Sequence, residues 1–241
     1  MSTTLCLDFG NTRLKAAVFA GDQLQEIRVL PDDNRDTITG LLQQTNPAFT
    51  ILSSVIHHAG HVEALLGDHS HFHKLSYTTR LPFSTPVGKP ETIGADRLAL
   101  CAAAVHLFPG RNNLAIGLGT CITYNFINQQ HQFLGGSISP GLEMRFKSMH
   151  ALTAKLPLVQ MDWNFPLIGY DTKTNLLSGV AWGMAKEIDG IIEAYEEKYG
   201  NFNVLLTGGD TLHFGPLLKK QIFADPHLIF KGLYAISVHN R

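Results

Sequence analysis

A strand–turn–strand pattern that occurs twice constrains the fold more than any other feature of the sequence. In its first copy, residues 5–19, two apolar runs flank the polar turn Asp-Phe-Gly-Asn-Thr. In its second copy, residues 113–127, two apolar runs flank a Gly-Thr turn, and Gly119 there aligns with Gly10 of the first copy. Short polar turns between apolar runs are typical of β-hairpins. A related hairpin near the start of each half predicts two related lobes.

The order of elements after each hairpin predicts the type of lobe. Each half has the pattern of three meandering strands followed by alternating helices and strands, including a nearly apolar helix at 94–108 and a long helix at 174–199. That order fits an α/β fold of duplicated ribonuclease H-like lobes, residues 1–111 and 112–241, as in actin-like ATPases. We expect a central cleft between the lobes, where a turn from each lobe closes on a polyphosphate.

The composition of the chain excludes several classes of function. The 241 residues are 44% hydrophobic and 16% charged, and the net charge of -1 gives no electrostatic basis for binding nucleic acid or an anionic membrane. The three cysteines lie in apolar runs without a CxxC pair, which favours a reducing compartment. No apolar stretch is long enough to cross a bilayer and no basic leader opens the chain, so we expect a cytoplasmic protein.

The first hairpin turn has the chemistry of a phosphate site. Gly10 tolerates a left-handed φ, and a turn of small residues can point several N–H groups at one anion. Thr12 adds a hydroxyl and Lys15 a cation, whereas Asp8 would be costly to bury without a partner such as a Mg²⁺-bound water. The alternative is an ordinary hairpin whose Asp and Asn cap their own backbone. This stretch alone favours neither interpretation.

A second motif, Gly94-Ala95-Asp96-Arg97, opens the buried helix at 94–108. Asp96 lies where the helix dipole favours a carboxylate, and Arg97 offers a planar fork suited to a substrate carboxylate or phosphate. The alternative is an acidic residue that only stabilises its own helix, with Arg97 in solvent. For an isolated Asp at a helix start that alternative has the better odds, so the motif needs its wider context.

Four stretches taken together resemble type III pantothenate kinase, the bacterial enzyme of coenzyme A synthesis. They are Asp8–Lys15, Gly94–Arg97, Gly117–Thr123 and the glycine-rich turn and helix of Gly135–Pro157. Matching motifs follow in order as far as Gly209, so the resemblance covers nearly the whole chain. It implies ATP-dependent phosphorylation of pantothenate to 4′-phosphopantothenate by a cytoplasmic homodimer, with ATP, Mg²⁺ and a monovalent cation (K⁺ or NH₄⁺) as the family's ligands.

The resemblance also implies roles for individual residues. Asp96 takes the place of the proton acceptor, Asp8 acts on Mg²⁺ through water, and Gly208 and Gly209 resemble the turn near the adenine. The pantothenate contacts are implied at Gly94, Ala95, Asp96, Arg97 and Thr172. The ATP contacts are implied at Asp8, Phe9, Gly10, Asn11, Thr12, Arg13, Leu14, Lys15 and Thr120.

Two positions depart from the family pattern. Gly117 stands where the family has an aspartate that belongs to the monovalent cation site, which puts cation dependence in doubt. Val87 stands where a tyrosine usually contacts the substrate. Two alternatives therefore stay open: a related actin-like kinase for another small carboxylated alcohol, and a catalytically weak nucleotide-binding regulator of the same fold.

Three further features have structural explanations that we favour. His69, His71 and His73 alternate along a strand, where a solvated edge is favoured over a zinc site. His57, His58 and His61 are expected at the surface near a helix start. The apolar face of the helix at 174–199 is expected to be core, although the family resemblance also implies that this region contributes to a dimer.

Overall fold

The computed structural model describes residues 2–241, which form ten strands and seven α-helices. Short 3₁₀ turns at Pro90–Thr92 and Gly215–Leu217 complete the secondary structure. In chain order the strands and helices are β1 (Thr3–Phe9), β2 (Leu14–Ala20), β3 (Gln23–Leu30), α1 (Arg35–Thr45), β4 (Phe49–Ser54), α2 (His61–His69), β5 (His71–Lys74), α3 (Ala95–Leu107), β6 (Asn113–Leu118), β7 (Cys121–Ile127), β8 (Phe133–Pro140), α4 (Leu142–Ala151), α5 (Thr172–Tyr199), β9 (Asn203–Gly208), α6 (Thr211–Phe214), β10 (Phe223–Ala224) and α7 (Leu228–His239).

Two five-stranded sheets share one strand order. The first has the order β3-β2-β1-β4-β5, with β1 antiparallel to β2 and parallel to β4. The second has the order β8-β7-β6-β9-β10, in which β6 is parallel to β9 and β9 to β10. Since β6, β7 and β8 occupy the places of β1, β2 and β3, the prediction of duplicated ribonuclease H-like lobes is confirmed.

The limits of the two compact units differ from the predicted lobe limits at two segments. The first unit contains residues up to Gly110 together with 127–134 and 227–241, and the second contains 111–126 and 135–226. Residues 131–133 join the first unit because Ser84 N–H donates to His131 O and Phe133 N–H donates to Ser84 O, both at 2.9 Å. The C-terminal segment joins it because α7 packs against α3.

The contact between α3 and α7 in the first unit is close enough to require glycine. A Cβ added to Gly232 of α7 would lie 1.8 Å from the carbonyl oxygen of Ala99 on α3. The apolar run of α3 is accordingly buried, with Leu98, Ala99 and Ala102 fully inaccessible to solvent. This packing holds α3, and the motif at its start, against the rest of the first unit.

Helix α5 forms much of the core of the second unit. Its start is fixed by a capping box, in which Thr174 N–H donates to the Asp171 carboxylate at 2.7 Å. The apolar face, including Leu177, Met184 and Ile188, is buried in the unit's own core. The prediction that this face is core is therefore confirmed.

The glycine-rich segment after residue 134 is a strand, so the prediction of a turn there is wrong. Gly136 lies in β8 with φ +154, and a Cβ on it would lie 1.8 Å from the carbonyl oxygen of Tyr124 on β7. Gly136 is needed for close approach between two backbones rather than for a change of direction. Among residues 2–241, no helix combines the length and the apolar character needed to span a bilayer.

Candidate functional site

The first hairpin turn lies in the first unit between β1 and β2. Gly10 N–H donates to Arg13 O at 3.1 Å, and Asp8 is the cross-strand partner of Lys15. Asn11 and Arg13 are exposed, and the turn lines a depression of about 220 Å³ on the surface of this unit. A small anion could therefore reach the turn from solvent.

Gly10 does not use the conformational freedom expected of it. It is not among the glycines with a left-handed φ, and an added Cβ would make only ordinary contact with Arg13 O at 3.5 Å. Its N–H is already used within the hairpin. The hydrogen bonds to an anion at this turn must therefore come from other groups of the loop, and Gly10 can contact it only without its N–H.

Asp8, at the end of β1, is a strongly perturbed carboxyl. Its pKa is raised to about 7, chiefly by burial and also by the nearby Asp96 carboxylate, while the Lys15 ammonium and the Ser53 hydroxyl act in the opposite direction. Like charges disfavour ionisation of both groups when they share a site. Asp8 and Asp96 therefore lie close enough to interact, although four strands and two α-helices separate them in the sequence.

Asp96 lies in the first turn of α3, whose N-cap is Gly94. Burial raises the pKa of the Asp96 carboxyl, while the backbone N–H and the charge of Arg97 oppose the rise. A Cβ on Gly94 would lie 2.5 Å from Asp96 Oδ1. A larger residue at position 94 would therefore push the carboxylate out of its place, which explains why the motif begins with glycine.

Arg97 is fixed by a ring in the same unit. Its guanidinium carbon lies 5.5 Å from the centroid of Phe133, and the ring is 1% exposed. A guanidinium over an aromatic face is stabilised by the ring quadrupole and loses less freedom when it binds an anion. Ala95 is buried at the first position of α3 and serves packing.

The pair of carboxylates fits a divalent cation that is held partly by other ligands. The Asp96 charge raises the pKa of Asp8, and a bound cation would relieve this repulsion between the two carboxylates. Among residues 2–241 no cluster of three or more His, Cys, Asp or Glu side chains could hold a metal on its own. Mg²⁺ is the kind of cation that such a pair of carboxylates would attract, and it would neutralise their charge.

The second hairpin turn, Gly119-Thr120, is built into the second unit by contacts with the start of α4. Gly119 N–H donates to Cys121 O at 3.1 Å, and Gly141 N–H donates to Thr120 O at 3.0 Å. A Cβ on Gly141 would lie 2.2 Å from Gly119 O. The turn is solvent-exposed, so its outer surface can meet a ligand.

The other residues singled out in the second unit lie on separate elements. Thr172 is the exposed first residue of α5, and Gly117 lies in β6 opposite Thr207 of β9. Gly208 has φ +109, and its Cβ would lie 2.1 Å from Leu118 O, whereas Gly209 faces open space. Gly208 is therefore required by the packing of β9 against β6.

The histidines behave largely as structural residues. Of the residues expected at the surface, His58 has a side chain only 8% exposed, and it bridges the Ser54 hydroxyl (2.9 Å) and Glu63 (2.8 Å). This prediction was wrong because the loop after β4 folds back over the aromatic ring of Phe9. His71 and His73 lie on β5, the edge strand of the first sheet, as expected, whereas His69 is the last residue of α2, so the prediction of three histidines along one strand is wrong.

Sequence reasoning missed a carboxylate network in the second unit. Glu187 of α5 is in contact with Tyr124, Ser139 and Arg145. The available signal was a charged residue within the buried stretch of α5, directly before the fully buried Ile188. A charge at such a position is retained only where it is paired.

Comparison with solved structures supports the fold. The chain superposes on a Campylobacter jejuni protein described as a Baf family transcriptional activator, with a TM-score of 0.62, 21% identity and 98% of each chain covered. It superposes on a glucokinase from an Antarctic psychrotroph with a TM-score of 0.50, 10% identity and 99% of each chain covered. These likenesses show the fold, which is that of duplicated ribonuclease H-like lobes.

Sequence comparison gives the family. The model of the type III pantothenate kinase family matches residues 4–194. The chain is 41% identical to the type III pantothenate kinase of Christiangramia forsetii, over 98% of both chains. It is 40% identical to that of Cytophaga hutchinsonii, over 98% of this chain and 99% of the other. The chain belongs to the type III pantothenate kinase family.

Proposed function

We propose that this protein transfers the γ-phosphoryl group of ATP to the primary hydroxyl of pantothenate, giving 4′-phosphopantothenate in the first step of coenzyme A biosynthesis. Membership of the family supports this activity. The single observation of the structure that supports it best is the electrostatic contact between Asp8, beside the first hairpin turn, and Asp96 at the start of α3.

Asp96 acts as the proton acceptor in this proposal. Phosphoryl transfer passes through a loose transition state, so catalysis depends mainly on alignment and neutralisation of charge. Asp96 orients the attacking hydroxyl and takes its proton late in the reaction. Burial raises the pKa of Asp96, which makes the carboxylate a better base than an exposed one.

The negative charge of Asp8 helps to attract the Mg²⁺ that accompanies ATP. When Mg²⁺ is bound it neutralises charge on the phosphates, and the negative charge of Asp8 next to Asp96 favours its presence. Lys15, the cross-strand partner of Asp8, adds positive charge at the same turn. The ATP-contacting set we propose is Asp8, Phe9, Gly10, Asn11, Thr12, Arg13, Leu14, Lys15 and Thr120.

Arg97 holds the far end of the substrate. A guanidinium binds a carboxylate through two parallel hydrogen bonds, and the Phe133 ring keeps this one in place. Fixing the carboxylate restricts where the hydroxyl can lie, which lowers the entropic part of the barrier. Gly94, Ala95 and Thr172 complete the proposed pantothenate contacts, and Val87 supplies no hydroxyl to them.

We take the duplicated lobes to be residues 1–111 and residues 112–241. The first lobe carries the phosphate loop and the Gly94–Arg97 motif, and the second carries Thr120 and the proposed adenine-side glycines, Gly208 and Gly209.

A monovalent cation cannot be held by a carboxylate at residue 117, because that residue is glycine. We therefore propose that turnover does not depend on K⁺ or NH₄⁺ bound in the manner typical of the family.

The proposed assembly is a cytoplasmic homodimer. Within the second unit, large apolar side chains between residues 138 and 170 are unusually exposed, which is typical of a surface covered by a partner. We propose a second copy of this chain as that partner. The most exposed of these side chains are Ile138 (59%), Leu152 (83%), Leu167 (68%), Ile168 (82%) and Tyr170 (81%).

The decisive experiment is ADP release coupled to identification of the product. With ATP and Mg²⁺ present, release should depend on pantothenate, and mass spectrometry should detect one added phosphoryl group on it. Turnover with a different hydroxy acid but not with pantothenate would identify a related kinase. Nucleotide binding without turnover of any alcohol would identify a regulator instead.

A further inference from the structure

Glu187, on α5, accepts hydrogen bonds from three other elements of the second unit. The Tyr124 hydroxyl of β7 donates to its Oε1 at 3.0 Å, and the Ser139 hydroxyl of β8 donates to the same oxygen. The guanidinium of Arg145 on α4 pairs with Oε2. Burial favours the neutral form of Glu187, but these three hydrogen bonds outweigh it and keep the pKa of the carboxyl below its ordinary value.

Two of these partners hold the junction between β8 and α4. Ser139 precedes Pro140-Gly141 in the chain, and Arg145 follows it by one helical turn. Arg145 Nε also donates to Pro140 O at 2.9 Å, and Arg145 N–H donates to Gly141 O at 3.0 Å. The carboxylate of Glu187 therefore fixes the junction from both sides.

The junction in turn fixes the Gly119-Thr120 turn. Gly141 N–H donates to Thr120 O at 3.0 Å, and the approach is so close that a Cβ on Gly141 would lie 2.2 Å from Gly119 O and 2.6 Å from Thr120 O. At such distances a shift of the junction by a few tenths of an ångström must move the turn. The carboxylate on α5 and the turn are thus linked by a continuous chain of contacts.

We propose that Glu187 is a positioning residue for ATP, which acts through Ser139 and Arg145 on the Pro140–Gly141 junction and so sets the conformation of the Gly119–Thr120 turn. The inference rests on the proposed function, because it takes the turn to be an ATP contact. Glu187 itself need not touch any substrate. Its removal should therefore weaken nucleotide binding and leave pantothenate binding unchanged.

Glu187→Gln tests this with little change of shape. The amide offers one acceptor oxygen in place of two, and in either orientation it lacks the negative charge that pairs with the guanidinium of Arg145. Loss of the charge-assisted pair should raise KM for MgATP about tenfold. The matched control is Glu196→Gln, which makes the same change on the same helix at an exposed ion pair with Lys220.

The expected result is a rise in KM for MgATP in the Glu187→Gln variant alone, with KM for pantothenate within about twofold of wild type. A merely structural role would lower the amount of folded enzyme, and hence the apparent kcat, without changing either KM. An unchanged KM for MgATP in folded Glu187→Gln would overturn the proposal. Circular dichroism and the melting temperature establish folding.

Calorimetric titration with ADP separates this inference from the proposed function. If the wild type and the Glu196→Gln variant bind ADP and the Glu187→Gln variant binds it more weakly, the inference is supported. Equal binding by all three overturns it and leaves the proposed function intact, whereas no binding by the wild type contradicts the proposed function. Should Glu187→Gln not fold, Ser139→Ala removes one donor, and an unchanged KM for MgATP in that variant overturns the inference.

Discussion

Replacing Asp8 by Asn should stabilise the ligand-free protein at alkaline pH while lowering its kinase activity. The pKa of Asp8 is raised from 3.8 to about 7 by burial and by the Asp96 charge. Between those two values the folded protein binds more protons than the unfolded chain, so the free energy of unfolding falls as pH rises. The fall is about 1.4 kcal/mol per pH unit, or about 4 kcal/mol in total. Asparagine does not ionise and escapes this loss.

The assay is urea unfolding of the wild type and the Asp8→Asn variant from pH 4 to pH 9. As pH rises across this range, the unfolding free energy of the Asp8→Asn variant should increase by a few kcal/mol relative to that of the wild type. Most of this change should be complete by about pH 8. Asp22→Asn, an exposed change at the turn between β2 and β3, is the control. A difference between wild type and Asp8→Asn that stays constant with pH would refute the reasoning, because Asp8 would then titrate as it does in the unfolded chain.

Three further predictions follow from single contacts and positions. Asp96→Asn should lower the pKa of Asp8 from about 7, as measured by carboxyl ¹³C NMR, and an unchanged pKa would contradict the proximity of the two groups. Gly232→Ala should destabilise the protein by about 3 kcal/mol in urea unfolding, since its Cβ would meet Ala99 O. Gly190→Ala, on α5 with open space around it, should instead stabilise by about 1 kcal/mol, and equal effects would contradict the packing argument. The rate of ADP release should be the same in K⁺ and Na⁺, because Gly117 has no carboxylate, and a strict K⁺ requirement would contradict this.

The sequence was sufficient for the architecture because hairpins and apolar periodicity are local signals. The turn at Gly10 and the turn at Gly119 each lie between two neighbouring strands of a sheet, and each is followed by a third strand of that sheet and then by helices and further strands. The apolar pattern predicts that α5 begins at residue 174, whereas the helix begins two residues earlier, at Thr172. The difference arises because the N-cap is Asp171, which lies outside the apolar pattern.

Features that depend on distant contacts could not be predicted from local patterns. The segment after residue 134 is a strand because Gly136 passes against the backbone of Tyr124, and glycine content alone cannot distinguish that contact from a turn. The proximity of Asp8 and Asp96 likewise depends on how α3 packs, and only the family resemblance suggested it. The Glu187 network joins four elements and leaves no spacing pattern in the sequence.

The predicted roles of individual residues depend more on the resemblance to the family than on the sequence patterns that indicate strands and helices. Gly94 illustrates the difference: sequence gives only a glycine before a helix, whereas the structure shows that a Cβ there would displace the Asp96 carboxylate. Arg97 similarly gains its fixed position from Phe133, which lies on a different element. For both Gly94 and Arg97, only the three-dimensional contacts explain why that residue type stands at that position.

The central claim is that the Asp96 carboxylate accepts the proton of the pantothenate hydroxyl, and the turnover of Asp96→Asn tests it most directly. ADP release with saturating pantothenate and MgATP should fall by about 10²- to 10⁴-fold, while the dissociation constant for ADP stays near that of the wild type. Asp68→Asn, an exposed change on α2, should retain full activity. Turnover by a folded Asp96→Asn variant at the wild-type rate would contradict the account.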